Sequence, residues 1–499
     1  MRRVIPFAGI AGAVLLADVA GARTGRGSDF GFDAEDSTRY LQAAINTGAR
    51  RVVVDRQGSA WITEPLYCTS DQEIVFEKGV EVVAKKGSFR GRNDCLFTLE
   101  GLRNVKLSGY GATLRMHRED YLNPPYEKGE WRHGISILSS DGVMIEGLSI
   151  LGSGGDGIYV ADRRKGPCSR NVTVRDVVCD GHARQGSSII CVENLLYENC
   201  TFSNTKGRPP QAGIDIEPNG PLEAVSNCVF RNCRFADNAG EGFALALLRG
   251  TEETPFVSVR LEGCAFRGNR IGFSYCQNSK TPHHVKGGLI LKDCTFERTR
   301  LSAFSIGRKP GDAMRVGVIG CRISDCCTEK PQMADVQIDS LYGNIDPPDT
   351  IALKDLRIVQ PVERDWIVFS DMPYGARRNR KFIGDVTVTS PAGTKRIVLD
   401  EAFRESAFPS FWSDGEPPRA KPDFARAEIV DACPGKAVKL PAYRQRGSVR
   451  YVFHADRPGP IVFKGVFVKV GRSPVTVKTL TLAPVSGGAG TEVEVPEDK

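Results

Sequence analysis

The segment Asp156-Gly157-Ile158-Tyr159-Val160 belongs to a series in which a glycine precedes alternating residues. The other members are His133-Gly134-Ile135-Ser136-Ile137, Gln185-Gly186-Ser187-Ser188-Ile189, Ala212-Gly213-Ile214-Asp215-Ile216, Glu241-Gly242-Phe243-Ala244-Leu245 and Ile271-Gly272-Phe273-Ser274-Tyr275. Their glycines are 23, 29, 27, 29 and 30 residues apart. Alternation with a period of two predicts short strands. The spacing is too short for repeated strand–helix–strand crossovers and predicts coils of a parallel β-helix, with about three short strands per turn.

A column of cysteines repeats in step with the glycines. Its members are Asn199-Cys200-Thr201-Phe202, Asn232-Cys233-Arg234-Phe235, Gly263-Cys264-Ala265-Phe266, Asp293-Cys294-Thr295-Phe296 and Gly320-Cys321-Arg322-Ile323. The steps are 33, 31, 30 and 27 residues. No C-x-x-C pair has a matching second pair, so a buried cysteine ladder is favoured over a zinc site. Rungs about 4.8 Å apart can pair as disulfides or pack as free thiols.

Composition and charge exclude several classes of protein. The 499 residues are 41% hydrophobic, which excludes a wholly disordered chain. The net charge is +7, and the basic residues are scattered along the chain, whereas a nucleic-acid-binding protein concentrates them on one face. This mild positive charge is compatible with an anionic substrate.

Different stretches of the chain predict different parts of the protein. Arg2 and Arg3, an apolar run and Ala20-Gly21-Ala22 predict a signal peptide over residues 1–22, and hence a secreted or periplasmic protein. No run is long and apolar enough for a membrane span. Residues 29–408 are predicted to form the β-helix, with a helix from Asp36 to Asn46 as its N-terminal cap. Residues 409–422 are predicted to be a linker, and residues 423–499 a small C-terminal β-sandwich.

The start of the chain resembles the pectate-lyase superfamily. Asp29-Phe30-Gly31, the helix, Arg51-Val52-Val53-Val54, Pro65-Leu66-Tyr67-Cys68 and Phe76-Glu77-Lys78-Gly79-Val80 are similar to the opening strands of polygalacturonase-like proteins. With the coils, the resemblance covers roughly residues 29–345. It implies a right-handed parallel β-helix and carbohydrate chemistry. The polygalacturonase signatures themselves are not reproduced, and Gly155-Asp156-Gly157 and Gly181-His182-Ala183 are only partial matches.

The candidate catalytic residues follow from the alternation. If Ile214 and Ile216 point into the core, Asp215 and Glu217 point outward, about 6.6 Å apart. That separation is close to the roughly 6.5–9.5 Å of an inverting glycosidase, and the proximity of like charges raises one pKa, as a general acid requires. The alternative is an exposed carboxylate pair, or one bound to Lys206 and Arg208.

The neighbouring coils add further candidates. Asp156 and Glu241 are the other candidate catalytic carboxylates; alternatively, Asp156 is a turn residue. Arg184 can bind a uronate carboxylate bidentately, or form a salt bridge to a neighbouring acid. Aromatic residues in the insertion from His117 to Trp131 suit sugar stacking. The candidate substrate-binding residues are His133, Arg184, Gln185, Tyr159, His182, Lys206, Arg208 and Trp131.

Three functional classes therefore stay open. The favoured one is a secreted enzyme that hydrolyses glycosidic bonds in a polysaccharide or oligosaccharide, with an acidic polysaccharide preferred and no metal or cofactor. The second is a polysaccharide lyase or uronate epimerase, in which the four carboxylates would bind Ca²⁺. The third is a glycan-binding protein without catalysis. The sequence leaves the sugar, the linkage and the oligomeric state open.

Overall fold

A computed structural model describes residues 24–164, 166–277, 285–307, 309, 313–339, 351–370, 382–400 and 402–403, together with five later strands. The predicted signal peptide and linker lie outside these residues. Contacts divide the chain into Met1–Ala407 and Phe408–Lys499. No helix among the described residues is both long enough and apolar enough to cross a membrane.

The first unit is built from coils that contribute to two parallel sheets. One sheet, here the 11-stranded face, takes one strand from each coil: Leu66–Tyr67, Phe97–Glu100, Ile135–Leu138, Ile158–Ala161, Ser187–Ile189, Ile214–Ile216, Glu241–Leu247, Ile271–Gln277, Phe304–Gly307, Val336–Asp339 and Ile367–Ser370. Within each coil the chain then runs through a longer and a shorter strand of the second sheet, as in Val192–Glu198 and Thr201–Ser203. This arrangement confirms the predicted parallel β-helix.

The second sheet bends around a corner, and its last strand pairs in an antiparallel manner. Its 22 strands are Thr24–Arg26, Arg51–Val54, Trp61–Thr63, Gln72–Phe76, Glu81–Ala84, Arg103–Arg115, Asp141–Leu151, Ser169–Arg175, Val178–Asp180, Val192–Glu198, Thr201–Ser203, Val225–Arg231, Arg234–Ala236, Val257–Glu262, Ala265–Arg267, Gly287–Lys292, Thr295–Glu297, Arg315–Ile319, Arg322–Ser324, Ile351–Val359, Phe382–Ser390 and Gly393–Val398. Coils therefore continue beyond residue 345, where the coil signature in the sequence fades.

The repeated glycine is required by the close approach of successive coils. A Cβ added at Gly186 would lie 2.5 Å from the carbonyl oxygen of Gly213, and one at Gly213 would lie 2.5 Å from that of Gly242. These contacts are too short for any side chain, so each coil needs a glycine where the next coil's backbone passes. The glycine column thus marks the corner that leads into the 11-stranded face.

The interior is filled by columns of identical side chains. Phe202, Phe235, Phe266 and Phe296 occupy paired positions and stack, with ring centroids 5.6, 4.7 and 4.5 Å apart. The five cysteines of the predicted ladder are all buried and free, which confirms the ladder. A disulfide instead joins Cys168 and Cys191 on neighbouring coils. Burial and stacking of these apolar side chains stabilise the solenoid.

The N-terminal end is covered by helical segments. A 3-10 helix spans Gly27–Phe30, and the predicted cap helix spans Thr38–Asn46 and buries Leu41, Ala44 and Ile45. A second short helix, Arg118–Tyr121, lies in the insertion between coils. The cap helix keeps water from the end of the apolar interior, as the exposed end of a solenoid requires.

The second unit contains strands in two small sheets. Ala427–Ala432 pairs in parallel with Val449–Ala455, which pairs antiparallel with Thr491–Val495; Ile461–Val470 pairs antiparallel with Ser473–Leu482. These pairings do not establish a β-sandwich, so the sandwich over residues 423–499 stays a prediction.

Candidate functional site

Tyr159, Ser188 and Asp215 occupy paired positions on three successive strands of the 11-stranded face. The predicted column of these three residues is therefore present. The alternative of an exposed carboxylate pair does not hold for Asp215, because the residue retains only 2% of its accessible surface. Alternation gives the direction of a side chain but not what covers it, and here the side chains of the preceding coil lie over the carboxylate.

Gln185 binds Asp215 directly. Its Nε2 donates a hydrogen bond to Oδ2 of Asp215 at 2.9 Å, and its Oε1 accepts one from the backbone N–H of Ala212 at 2.8 Å. Burial, followed by the charge of Glu217, raises the pKa of Asp215 well above its usual range, and the charge of Arg184 only partly opposes this. A protonated carboxyl group is thereby favoured at this position.

Arg184 lies among four carboxylates. Its Nε lies 3.3 Å from Glu130, its Nη1 lies 3.7 Å from Asp156, and its Nη2 lies 4.0 Å from Asp215 and 3.7 Å from Glu217. Burial alone would lower the pKa of Arg184, but these carboxylates outweigh burial and raise it. The predicted alternative for Arg184, a salt bridge to neighbouring acids, describes the contacts in the structure.

Asp156 lies fully buried at the corner before its strand. Its Oδ2 is 3.3 Å from Nδ1 of His133, and neither carboxylate oxygen has a hydrogen-bond partner among the described residues. Burial raises its pKa to about 7, although Arg184 acts in the opposite direction. Asp156 thus lies in the bend before its strand, as the alternative predicted, but it is buried there and its carboxyl group can change its protonation near neutral pH.

The two candidate histidines have different surroundings. His133 stacks on Tyr159 with the rings 4.4 Å apart, and its Nδ1 accepts the backbone N–H of Asp156 at 3.0 Å. His182 is tied to Ser153, whose backbone N–H donates to its Nδ1 at 3.2 Å. Burial lowers the pKa of each histidine to about 3, so both are neutral at physiological pH. His133 therefore belongs to the carboxylate cluster, whereas His182 lies beside it, packed against Ser153.

Two loops form the rim of the site on the side from which the strands begin. The predicted insertion carries Glu130, which contacts Arg184, and Trp131, which is 43% exposed. On the second loop, residues 205–211, Arg208 donates a hydrogen bond to the carbonyl of Gly129, and Lys206 is exposed. The alternative that Asp215 and Glu217 are bound to Lys206 and Arg208 is therefore wrong, because Arg184 contacts both acids and Arg208 instead joins the two loops.

Glu241 lies at the edge of the cluster. It is half-buried, and its Oε1 accepts a hydrogen bond from Arg270 at 3.3 Å. Burial raises its pKa, and its charge contributes to the raised pKa of Asp215. Among the salt bridges of the described residues, Glu241 shares none with Arg184. Its part in the site is thus electrostatic.

Glu130 is the site residue that sequence reasoning missed. It comes from an insertion that precedes Arg184 by more than fifty residues, so no local pattern connects the two. The only signal was its position beside Trp131, in the insertion whose aromatic residues suit sugar stacking. Arg132 fixes this loop, since it is buried and donates hydrogen bonds to the carbonyls of Phe89, Arg90 and Glu127.

The chemistry available at this site is proton transfer and recognition of polar ligands. Two buried carboxyl groups with raised pKa values lie beside Glu217 and Glu130, whose side chains are 35% and 44% exposed. Within the described ranges, no three or more His, Cys, Asp or Glu residues are grouped so that they could hold a metal ion.

Comparisons with known proteins agree with the fold. Residues 131–287 match the family model described as a right handed beta helix region. The SPbeta prophage-derived uncharacterized protein YorA of Bacillus subtilis (strain 168) is 25% identical over 239 residues, which are 45% of this chain and 38% of that protein. The chain therefore spans less than two fifths of the length of this curated relative.

Two solved structures have a similar arrangement of coils. PfbA, a surface adhesin of Streptococcus pneumoniae, matches with a TM-score of 0.52 and 13% identity over 76% of this chain and 95% of that one. The A-module of a mannuronan C-5 epimerase of Azotobacter vinelandii matches with a TM-score of 0.46 and 14% identity over 73% of this chain and 93% of that one. From its strands, from the matched family model and from the likeness to PfbA, the chain is a right-handed parallel β-helix protein.

Proposed function

We propose that this protein hydrolyses a glycosidic bond of a polysaccharide, with Asp215 as general acid and Glu217 as general base. The observation that carries this proposal is the contrast between two carboxylates on one arginine nitrogen. Both lie within 4.0 Å of Nη2 of Arg184, but Asp215 is 2% exposed whereas the side chain of Glu217 is 35% exposed. Burial keeps the proton on the first, and solvent access suits the second to activating a water molecule.

The distance between the two groups suits this role. Since their oxygens lie 4.0 and 3.7 Å from the same nitrogen, they are no farther apart than about 7.7 Å, the sum of the two distances. This limit includes the lower part of the range of about 6.5–9.5 Å that is typical of inverting glycosidases. The two carboxyl groups can therefore be far enough apart to leave space for a water molecule between the sugar and the base.

Hydrolysis is favoured over Ca²⁺-assisted lyase or epimerase chemistry by the position of Arg184. A Ca²⁺ ion bound by Asp156, Asp215 and Glu217 would lie beside the guanidinium group that already contacts all three. Two positive charges would then compete for one set of oxygens, at a high cost in a buried site. Hydrolysis, in which the carboxyl groups themselves donate and accept protons, requires no additional cation in the cluster.

Digestion of a glycan panel, followed by product analysis, tests the reaction type. Hydrolysis is expected to release reducing ends without new ultraviolet absorbance and to continue in the presence of a chelator. Products that absorb through a new C=C bond, together with loss of activity on chelation, would replace this proposal with the lyase. Inverted sugar stereochemistry without bond cleavage would indicate an epimerase.

Burial of the acids favours a second candidate, glycan binding without turnover. Asp156 and Asp215 expose 0% and 2% of their surface, so a sugar contacts Glu130, Glu217, Tyr159 and Trp131 more readily than either acid. The PfbA adhesin has a similar fold, although at 13% identity. Measured glycan binding without any product after prolonged incubation would support this candidate instead.

We also propose that the protein is exported through residues 1–22. The support is the sequence pattern of Arg2, Arg3 and Ala20-Gly21-Ala22. Mass spectrometry of the mature protein from its native host is expected to show an N-terminus near Arg23. An intact N-terminal Met1 in a cytoplasmic fraction would contradict export.

A further inference from the structure

The charges around Arg184 do not balance. One guanidinium group contacts four acidic side chains, at distances from 3.3 to 4.0 Å, and even when Asp156 and Asp215 are protonated it faces the two carboxylates of Glu130 and Glu217. Glu130 and Glu217 are the exposed members, with 44% and 35% of their side chains accessible, whereas the Arg184 side chain is 16% exposed. A ligand that enters the site therefore meets carboxylates more than it meets the cation.

A second observation points to a missing partner. Asp156 is fully buried and contacts Arg184, yet neither of its carboxylate oxygens makes a hydrogen bond of normal geometry within the part of the chain that the structure describes, although Ser188 and the backbone of Gln185 lie near enough to lower its pKa. Buried polar atoms are almost always hydrogen-bonded, so an unpartnered carboxylate marks a cluster that is completed by something else.

From this geometry we infer that the glycan carries free amino groups, so that an ammonium group binds between Glu130 and Glu217. The inference rests on the proposed function, because it assigns the substrate class of the same site. It replaces the acidic polysaccharide that the sequence favoured, since that preference requires an arginine free to bind a uronate carboxylate. In the structure Arg184 is already surrounded by the protein's own acids.

An anionic sugar is disfavoured for a direct electrostatic reason. A substrate carboxylate could reach Arg184 only by displacing Glu130 or Glu217, which would leave the displaced charge beside the new one. Like charges held together in a poorly solvated site repel strongly. An ammonium group instead forms charge-assisted hydrogen bonds to both exposed carboxylates without displacing either from its loop or strand.

Binding of an ammonium group should also release protons. The ammonium group attracts Glu130 and Glu217 away from Arg184. The charge of Arg184 then acts more fully on Asp156 and Asp215, which favours ionisation of these two acids. The other titratable groups that face these acids are Tyr159 and Cys95, whose pKa values burial raises so that they stay protonated, His133, which stays neutral, and Glu241, which is paired with Arg270. The released protons therefore come from the two buried acids.

Calorimetry with three oligosaccharides of equal length tests the inference. The probes are a glucosamine oligomer, the corresponding N-acetylglucosamine oligomer and an oligogalacturonate. We expect the amine oligomer to bind about tenfold or more tighter than the acetylated one, the usual worth of a charged hydrogen bond. Its binding enthalpy should vary with the ionisation enthalpy of the buffer, which reports proton release. Equal binding of all three probes, no binding of the amine oligomer, or a preference for oligogalacturonate would overturn the inference.

Two variants in one loop locate the binding site. Glu130→Gln should weaken binding of the glucosamine oligomer about tenfold. Glu127→Gln removes a carboxylate of the same loop that is 60% exposed and paired with Arg92 at 3.3 Å, and it should leave binding unchanged. Equal losses in both variants would indicate non-specific attraction and overturn the inference.

Amine binding without cleavage would refute the hydrolase alone, and cleavage of an uncharged or acidic glycan without amine preference would refute this inference alone.

Discussion

The 11-stranded face divides into a first half, up to Ile214–Ile216, and a second half, from Glu241–Leu247 onward. The two halves pair in one continuous register but carry different outward side chains. In the first half, the outward positions hold Tyr159, Ser188 and Asp215. In the second half, the same column continues through Ala244, Ser274 and Ser305. The inward neighbours change as well, from isoleucines such as Ile158 and Ile214 to Phe243, Phe273 and Phe304.

Under the proposed function, the first half carries the site and the second half contributes stability. Buried carboxyl groups such as Asp156 and Asp215 cost free energy, because their charged forms lose solvation. The stacked Phe243 and Phe273 of the second half bury large apolar surfaces without such a cost. A parallel β-helix allows this separation because each coil contacts only its neighbours. We therefore expect substitutions in the first half to change activity and those in the second to change stability.

The largest expected effect is on turnover in the first half. Asp215→Asn and Glu217→Gln should each lower kcat by about 10² to 10⁴-fold, the usual worth of one positioned proton-transfer group. Steady-state kinetics on the glycan cleaved in the panel measures the effect. Glu193→Gln is the matched control, because Glu193 is paired with Arg170 at 3.4 Å on the other sheet.

The outcome of these variants separates three roles. A loss confined to KM would make Asp215 and Glu217 substrate ligands instead of acid and base. A lowered melting temperature with unchanged kinetics would make them structural. Normal turnover in both would move the proposal to Asp156 and Glu241, the remaining candidate carboxylates.

In the second half the expected effect is on unfolding. Phe273 is buried and stacks on Phe243 with the ring centroids 5.5 Å apart, so Phe273→Ala should lower the free energy of unfolding by about 3 to 5 kcal/mol. Denaturant unfolding measures the change, and the exposed Arg267 shortly before this strand, changed to Ala, is the control. If Asp215→Asn destabilised the protein more than Phe273→Ala, the division between the halves would be wrong.

The fold could be predicted from the sequence because its constraints repeat. The glycine of each coil is dictated by the backbone of the next coil, so the same requirement returns at Gly157, Gly186 and Gly213. The cysteine column repeats for a similar reason, since each rung packs on the next. A single sequence therefore contains several independent copies of the same evidence.

The site could be predicted only in part. The register placed Tyr159, Ser188 and Asp215 in one column, because alternation and coil spacing are local properties. Contacts between Arg184 and Glu130 depend on how the insertion folds back over a later coil, and no repeat encodes that. The burial of Asp215 has the same origin, since it depends on the side chain of Gln185.

A smaller effect is expected in the pH dependence of stability. The pKa of Asp156 is raised from 3.8 to about 7, so between these values the folded chain holds a proton that the unfolded chain has lost. The stability that this group contributes is therefore present at low pH and falls as pH rises towards 7. The difference in unfolding free energy between wild type and Asp156→Asn should change by up to about 4 kcal/mol over this range.

Denaturant unfolding at several pH values measures this difference, with wild type and variant compared at each pH. The pKa values of His133 and His182 are lowered to about 3, so the histidines act in the opposite direction, and stability from them rises with pH. Both histidines are present in wild type and variant, so to first order their contribution cancels in the difference. A difference that stays flat from pH 4 to pH 7 would show that Asp156 is ionised throughout.

The smallest effect compares one substitution at two positions of the same column. Ser188 is fully buried, and its hydroxyl accepts a hydrogen bond from Nη1 of Arg184 at 3.2 Å, whereas Ser274 is half-buried in the second half of the face. Ser188→Ala should cost about 1 kcal/mol of unfolding free energy and lower turnover a few-fold, because Arg184 loses an acceptor that fixes it among the acids. Ser274→Ala should change stability by no more than about 0.5 kcal/mol and leave turnover unchanged. Thermal unfolding and steady-state kinetics measure both. Equal effects at the two positions would show that the column acts uniformly and that Arg184 is held by its carboxylates alone.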